Sequence, residues 1–255
     1  MRPRSTSDKI PFFRHGFYMR FVLLILFTLL LVVIILKVEA ILLARTASDS
    51  FTGQKVKIGQ FDVYYEKFGS IGPNLLMIHG IGASSYIWRA TSKALAQDFQ
   101  ILNIDLPGFG QSTKLTNEDY GLDQQAERVI QFLDHFRIKK TFLVGSSMGG
   151  ALALWLALNY PARFPKVSVI GPATNPKLVP VQSIHQYDWL GYLASPFINK
   201  LFMRFTIGRV IHNKELITEE RISHSLNNHG ENADGIRIFI KAIKLLTDKR
   251  LPGHF

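Results

Sequence analysis

Hydrophobic positions change period twice along this chain, and each change marks a different kind of element. Phe21 to Leu36 runs for 16 residues without a charge, and Val38 to Ala44 continues it with Glu39 as the only ionisable side chain. At 1.5 Å per residue, a helix from residue 21 to 44 is about 36 Å long, more than the roughly 30 Å of a bilayer's hydrocarbon core. From residue 55 the apolar runs shorten. Lys55-Val56-Lys57-Ile58 and Phe61-Asp62-Val63-Tyr64-Tyr65 alternate around Gly59-Gln60, which predicts an antiparallel hairpin. Leu75 to Ile78, Ile101 to Asp105, Thr141 to Val144 and Val167 to Ile170 are short β-like runs, as in strands buried on both faces of a parallel sheet. Stretches from about Ser85 to Gln97, Leu122 to Phe136 and Met148 to Asn159 lie between them and read as helices. The alternation predicts an α/β domain with a mostly parallel sheet and helices on both faces. After about Asn175 no β run recurs. Leu193, Phe197, Leu201, Phe202 and Phe205 return at helical spacing instead, as packing residues of a helical subdomain.

Composition and charge narrow the picture. The 255 residues are 47% hydrophobic, carry a net charge of +11 and include no cysteine. That removes disulfides, thiolate nucleophiles and cysteine-based zinc sites. The cations are scattered and do not form a nucleic-acid-binding patch; their clearest one-sided cluster precedes residue 21, where Arg2, Arg4, Lys9, Arg14 and Arg20 face only Asp8. A basic arm ahead of an apolar span reads as a single-pass membrane anchor. The N-terminus then lies in the cytoplasm and the rest on the outer, periplasmic or extracellular, side. A cleaved signal peptide is the alternative, because Val38-Glu39-Ala40 resembles a small-x-small cleavage site. The resulting boundaries are an arm over 1–20, an anchor over 21–44, a linker over 45–54, an α/β core over 55–175 and a helical segment over 176–255.

Three motifs carry candidate chemistry. Gly145-Ser146-Ser147-Met148-Gly149 stands between the Thr141–Val144 run and the Met148–Asn159 helix, the strand, G-x-S-x-G, helix order of a nucleophile elbow. Small residues on both sides allow the turn to lift the Ser147 hydroxyl clear of the sheet edge. His79-Gly80-Ile81-Gly82 follows an earlier strand, with glycines that permit close approach of the loop backbone. Asp105-Leu106-Pro107-Gly108-Phe109-Gly110-Gln111-Ser112 follows the next strand.

In this order the motifs resemble those of the α/β-hydrolase fold family, among them its membrane-anchored, lid-bearing esterase, lipase and monoacylglycerol-lipase-like members. The resemblance spans about residues 55 to 175 and continues more loosely through the helical segment. It implies Ser147 as nucleophile, the backbone N–H groups of Met148 and Ile81 as oxyanion hole, Gly145 and Gly149 as the elbow's flanking glycines, and His79 and Gly80 as parts of the oxyanion loop. His79 and Asp105 would then be structural, and the helical segment would be a lid. Serine at position 147 argues against the dehalogenase and epoxide hydrolase branches, which attack with a carboxylate. The implied reaction is hydrolysis of carboxylic, lipid-like esters, with no metal or organic cofactor.

The same resemblance places a triad acid and histidine after the lid, each at the end of a further strand. No position after Ser147 matches either motif. His185, His212, His224, His229 and His254, and Asp188, Asp234 and Asp248, follow no recognisable strand. The expectation is therefore a chain truncated before its acid and base, with both left unassigned. Two alternatives stay open: a non-catalytic membrane-bound binding protein, and half of a split hydrolase completed by a partner chain.

Overall fold

The computed structural model describes residues 12–48, 52–175, 177, 182–229 and 233–251. The first described element is helix α1, Phe12–Ser48. A mixed sheet follows, with β1 Gln54–Ile58, β2 Phe61–Phe68, β3 Asn74–Ile78, β4 Gln100–Ile104, β5 Phe142–Ser146 and β6 Val167–Ile170. A 3₁₀ turn, Ser85–Trp88, leads into α2, Arg89–Leu95, and the later strands are separated by α3, Leu122–His135, and α4, Met148–Asn159. Beyond β6 come α5 Leu190–Ala194, α6 Lys200–Val210, α7 Glu219–His229 and α8 Asp234–Leu246.

The strand order is β1-β2-β4-β3-β5-β6. The first two pairings are antiparallel, and β3 is flanked by parallel partners on both sides. Burial explains why β3 reads as a continuous apolar run. Leu76 and Ile78 point into the main core with Phe132, Leu152 and Ile238, whereas Leu75 and Met77 point the other way, onto Trp88 and Ile101. With both faces covered, no polar alternation is possible. The strand ends of β3, β4 and β5 thus converge, and the three loops that carry the motifs leave the sheet side by side.

Two features differ from the expectations. Helix α1 continues to Ser48, so residues 45–48 of the expected linker are helical. Residues 45–48 contain no glycine or proline to stop it, and Ala40 and Ala44 are buried against Met203, Ile222 and Leu226. Conversely, four of the five apolar residues that mark the helical segment are not packed in it: Leu193, Phe197, Leu201 and Phe205 are each more than 60% exposed, while Phe202 is 42% exposed and lines a cavity. Val22–Arg45 is long and apolar enough to cross a membrane, and none of its most apolar stretch is buried in the protein.

Candidate active site

The order β5, turn, α4 places Ser147 at the N-terminus of α4 with φ 50° and ψ −117°. That is a left-handed conformation that side-chain-bearing residues adopt at a cost. Its backbone is held on both sides: Ser147 N–H donates to Ile170 O at 3.0 Å, and Ser147 O accepts from Ala151 N–H and Ala173 N–H, each at 3.0 Å. The flanking glycines are required by close approach. A Cβ on Gly145 would meet the Gly149 carbonyl, and a Cβ on Gly149 would meet the carbonyls of Ile78 and His79. The elbow is therefore wedged against the end of β3, and the loop after β3 passes directly over the serine. A Cβ on Gly80 would stand 3.2 Å from Ser147 Cβ and 3.8 Å from its Oγ.

Met148 and Ile81 directly follow Ser147 and Gly80 in the chain. Met148 is the first residue of α4 and is buried, so its N–H has no intrahelical acceptor. Neither N–H is matched to an acceptor among the described residues. A pair of free N–H donors beside a raised serine suits a developing oxyanion.

His79 and Asp105 brace these loops. His79 is fully buried; Leu106 N–H donates to its Nε2 at 3.0 Å, so the proton sits on Nδ1, which donates to Gly80 O at 2.7 Å. Burial pushes its pKa down, although the Asp105 carboxylate opposes this. With both nitrogens engaged on backbone, His79 ties the β3 loop to the β4 loop and has no lone pair to offer a substrate. Asp105, also fully buried, accepts from Ser85 N–H at 2.6 Å and from Gln111 N–H at 2.8 Å. Desolvation raises its pKa, against the pull of His79 and these N–H groups.

The remaining candidate acids stand beside arginines. Asp188 pairs with Arg237 at 2.8 Å, Asp248 pairs with Arg250 at 2.7 Å, and Asp234 stands 3.9 Å from Arg237. His212 is exposed, and His254 lies outside the described residues. His224 is buried, stacks on Tyr86 with ring centroids 3.9 Å apart, and is pushed down to about 4 mainly by burial, with the nearby Arg89 cation adding to it. Among the described residues no histidine hydrogen-bonds Ser147 Oγ.

A cavity of about 660 Å³ opens beyond the Gly80–Ile81 loop. Ile81, Ile198, Phe202, Met203 and Ile207 give it apolar walls, and Ser147 lies behind the loop and outside the lining. One wall, from α7, is polar and includes Arg221, Ser225 and Asn228, residues the sequence reading did not single out. Their signal was a polar stripe at helical spacing, which in sequence looks like a solvent-facing side.

Residues 73–206 match the family described as alpha/beta hydrolase fold. An uncharacterized hydrolase of Bacillus subtilis (strain 168), YugF, is 31% identical over 170 residues, covering 63% of this chain and 60% of that protein. The monoacylglycerol lipase ABHD6 of Bos taurus is 35% identical over 103 residues, covering 40% of this chain and 31% of its own. A crystal structure of a membrane phospholipase A, described as a bacterial virulence factor, superposes with a TM-score of 0.57 at 24% identity, covering 88% of this chain and 74% of that one. The chain thus spans about 60% or less of the length of these curated relatives. With more than half of its length inside the family match, and with the strand, elbow and loop order just described, the chain belongs to the alpha/beta hydrolase fold family.

Proposed function

We propose that this chain is a membrane-anchored serine hydrolase of lipid-like carboxylic esters, with Ser147 as its nucleophile. The observation that carries this reading is the strained conformation of Ser147 beneath two unmatched N–H donors. Its Oγ adds to the ester carbonyl carbon while its proton passes to a base. The carbonyl electron pair moves onto oxygen and is held by the N–H groups of Met148 and Ile81. Collapse expels the alcohol, which takes up the proton, and water then hydrolyses the acyl-enzyme. The base that accepts the serine proton stays unassigned among the described residues, and a complementing chain could supply it.

Lipid substrates are favoured by the apolar cavity and by its neighbourhood. Lys37 of α1 donates to Ser195 O at 3.0 Å, so a residue of the helical segment sits beside the first residue after the charge-free stretch. The exposed Leu193, Phe197, Leu201 and Phe205 therefore lie where the bilayer surface would be. The relative named a monoacylglycerol lipase acts on a lipid ester by name. On this reading the segment 176–255 is a lid, the N-terminal arm is cytoplasmic and the hydrolase domain faces outward. Protease added outside sealed, right-side-out vesicles should then cleave the hydrolase domain; cleavage only after lysis would invert the topology.

A second reading, a non-catalytic lipid-binding protein, is favoured by the lack of a histidine hydrogen-bonded to Ser147 among the described residues. Turnover of p-nitrophenyl butyrate by the full chain, abolished by Ser147→Ala, supports the hydrolase and excludes the binder. A folded chain with no Ser147-dependent turnover reverses that choice.

A further inference from the structure

Helix α7 is sandwiched between the anchor and the cavity. Ile222 and Leu226 pack on Ala40 and Ala44 of α1, and Asn227 Nδ2 donates to Ala44 O at 3.1 Å. The opposite face presents Arg221, His224, Ser225, Asn228 and His229 to the cavity, at the spacing that aligns side chains on one side of a helix. A wholly hydrocarbon ligand would leave the unmatched polar atoms among them away from water, at a cost for each.

For two of them the hydrogen-bonding role can be fixed. Asn228 is only 6% exposed, and its Nδ2 donates to Gly82 O at 3.2 Å. Because that carbonyl only accepts, the amide orientation is set, and Oδ1 is left as a buried acceptor with no partner among the described residues. His229 Nδ1 lies 2.7 Å from Ser225 O, again an acceptor, so the ring proton is on Nδ1. Burial pushes the His229 pKa down, which keeps the ring neutral and leaves a lone pair on Nε2. That atom stands 3.8 Å from where a Cβ on Gly82 would sit, and no donor reaches it among the described residues. Asn228 and His229 thus both stand beside Gly82, two residues along the loop from the Gly80 that covers Ser147.

We propose that Asn228 and His229 form a subsite for the hydroxyl groups of a polyol lipid, the alcohol portion of a glycerol-like ester. The assignment rests on the lipid-ester reading above for its substrate class, but not for its chemistry. Ionised phosphate and carboxylate groups bring acceptors only and would face two further acceptors. A hydroxyl supplies the donor that each of these atoms lacks. The apolar walls would hold the attached chain.

The test measures binding and needs no turnover. The full chain in nanodiscs is titrated calorimetrically with 1-O-hexylglycerol and with hexyl methyl ether, two ethers that share a chain and differ in hydroxyls. The glycerol ether should bind at least about tenfold more tightly, as expected for one or two net hydrogen bonds. His229→Phe keeps an aromatic ring beside Phe239, whose ring centroid is 6.1 Å away, but removes the acceptor, and should cut that preference about five- to tenfold. Asn228→Leu should do the same; since it also loses the bond to Gly82, His229→Phe decides the matter if the leucine variant does not fold. Equal affinities for the two ethers on the folded chain, or a preference untouched by His229→Phe, overturns the proposal. So does tighter binding of hexyl phosphate, which would make Arg221 the selecting group. Ser147→Ala should keep the preference, because an ether offers no carbonyl. A retained preference without Ser147-dependent ester cleavage would defeat the hydrolase reading alone, and cleavage without preference would defeat the subsite alone.

Discussion

Replacing Ser147 by glycine should make the protein more stable, against the usual direction of a glycine substitution. Ser147 is held at φ 50° and ψ −117° by hydrogen bonds of its own backbone to Ile170, Ala151 and Ala173, so the conformation will survive loss of the side chain. A side-chain-bearing residue in such a region stores about 1–3 kcal/mol of strain. Glycine removes that strain and returns about 0.5–1 kcal/mol through the greater freedom of its unfolded chain. The net gain is about 1 kcal/mol, or a rise of roughly 2–4 °C in melting temperature for a domain of this size. Ser147→Ala is the control, because it removes the hydroxyl while keeping the Cβ and the strain. Both variants and the parent are melted in the same detergent and followed by circular dichroism. If Ser147→Gly melts at or below Ser147→Ala, the elbow is not strained in the sense argued.

Other consequences are open to equally direct tests. Gly149→Val would drive side-chain atoms into the carbonyls of Ile78 and His79, and overpacking there should lower stability by about 3 kcal/mol or prevent folded expression; a normal melt would contradict the wedged elbow. His79, His224 and His229 all have pKa values pushed below the ordinary 6.5 by burial, so below that pH the unfolded chain binds protons the folded chain refuses. Stability should be full above pH 6.5 and fall on acidification, by as much as about 1.4 kcal/mol per pH unit for each histidine; a melting temperature flat down to about pH 5 would refute it. Ala44→Trp, at a position 4% exposed against Met203 and Leu226, should pry α1 from α6 and α7 at a cost of about 1–3 kcal/mol, read as a lower melting temperature; an unchanged melt would mean these helices are not packed together.

Much of the core was legible because its signals are local. The β runs and the G-x-S-x-G turn each need a particular residue type at a particular backbone position, and the strand, turn, helix order around Ser147 is written within Thr141 to Asn159. The helical segment was less legible. Leu193, Phe197, Leu201 and Phe205 share a helical period whether they face a core, a bilayer or a partner, and periodicity alone cannot say which. The α7 row inverts the usual rule: Arg221, Ser225 and Asn228 have the spacing and polarity of a solvated face, and only the cavity across from them shows that they point inward. The length of α1 past residue 44 was hidden for a related reason, since its last turns are held by contacts with a helix almost two hundred residues away, as in the bond from Asn227 to Ala44.

The most direct measurement is covalent trapping of Ser147. Membranes carrying the 255-residue chain are treated with a fluorophosphonate, beside a Ser147→Ala control, and the adduct is mapped by peptide mass spectrometry. A single adduct on Ser147, absent from the control, is the expected result, and it would mean that a base reaches the serine in the assembled protein. A folded chain that stays unlabelled, or one labelled equally in the control, would contradict Ser147 as the nucleophile.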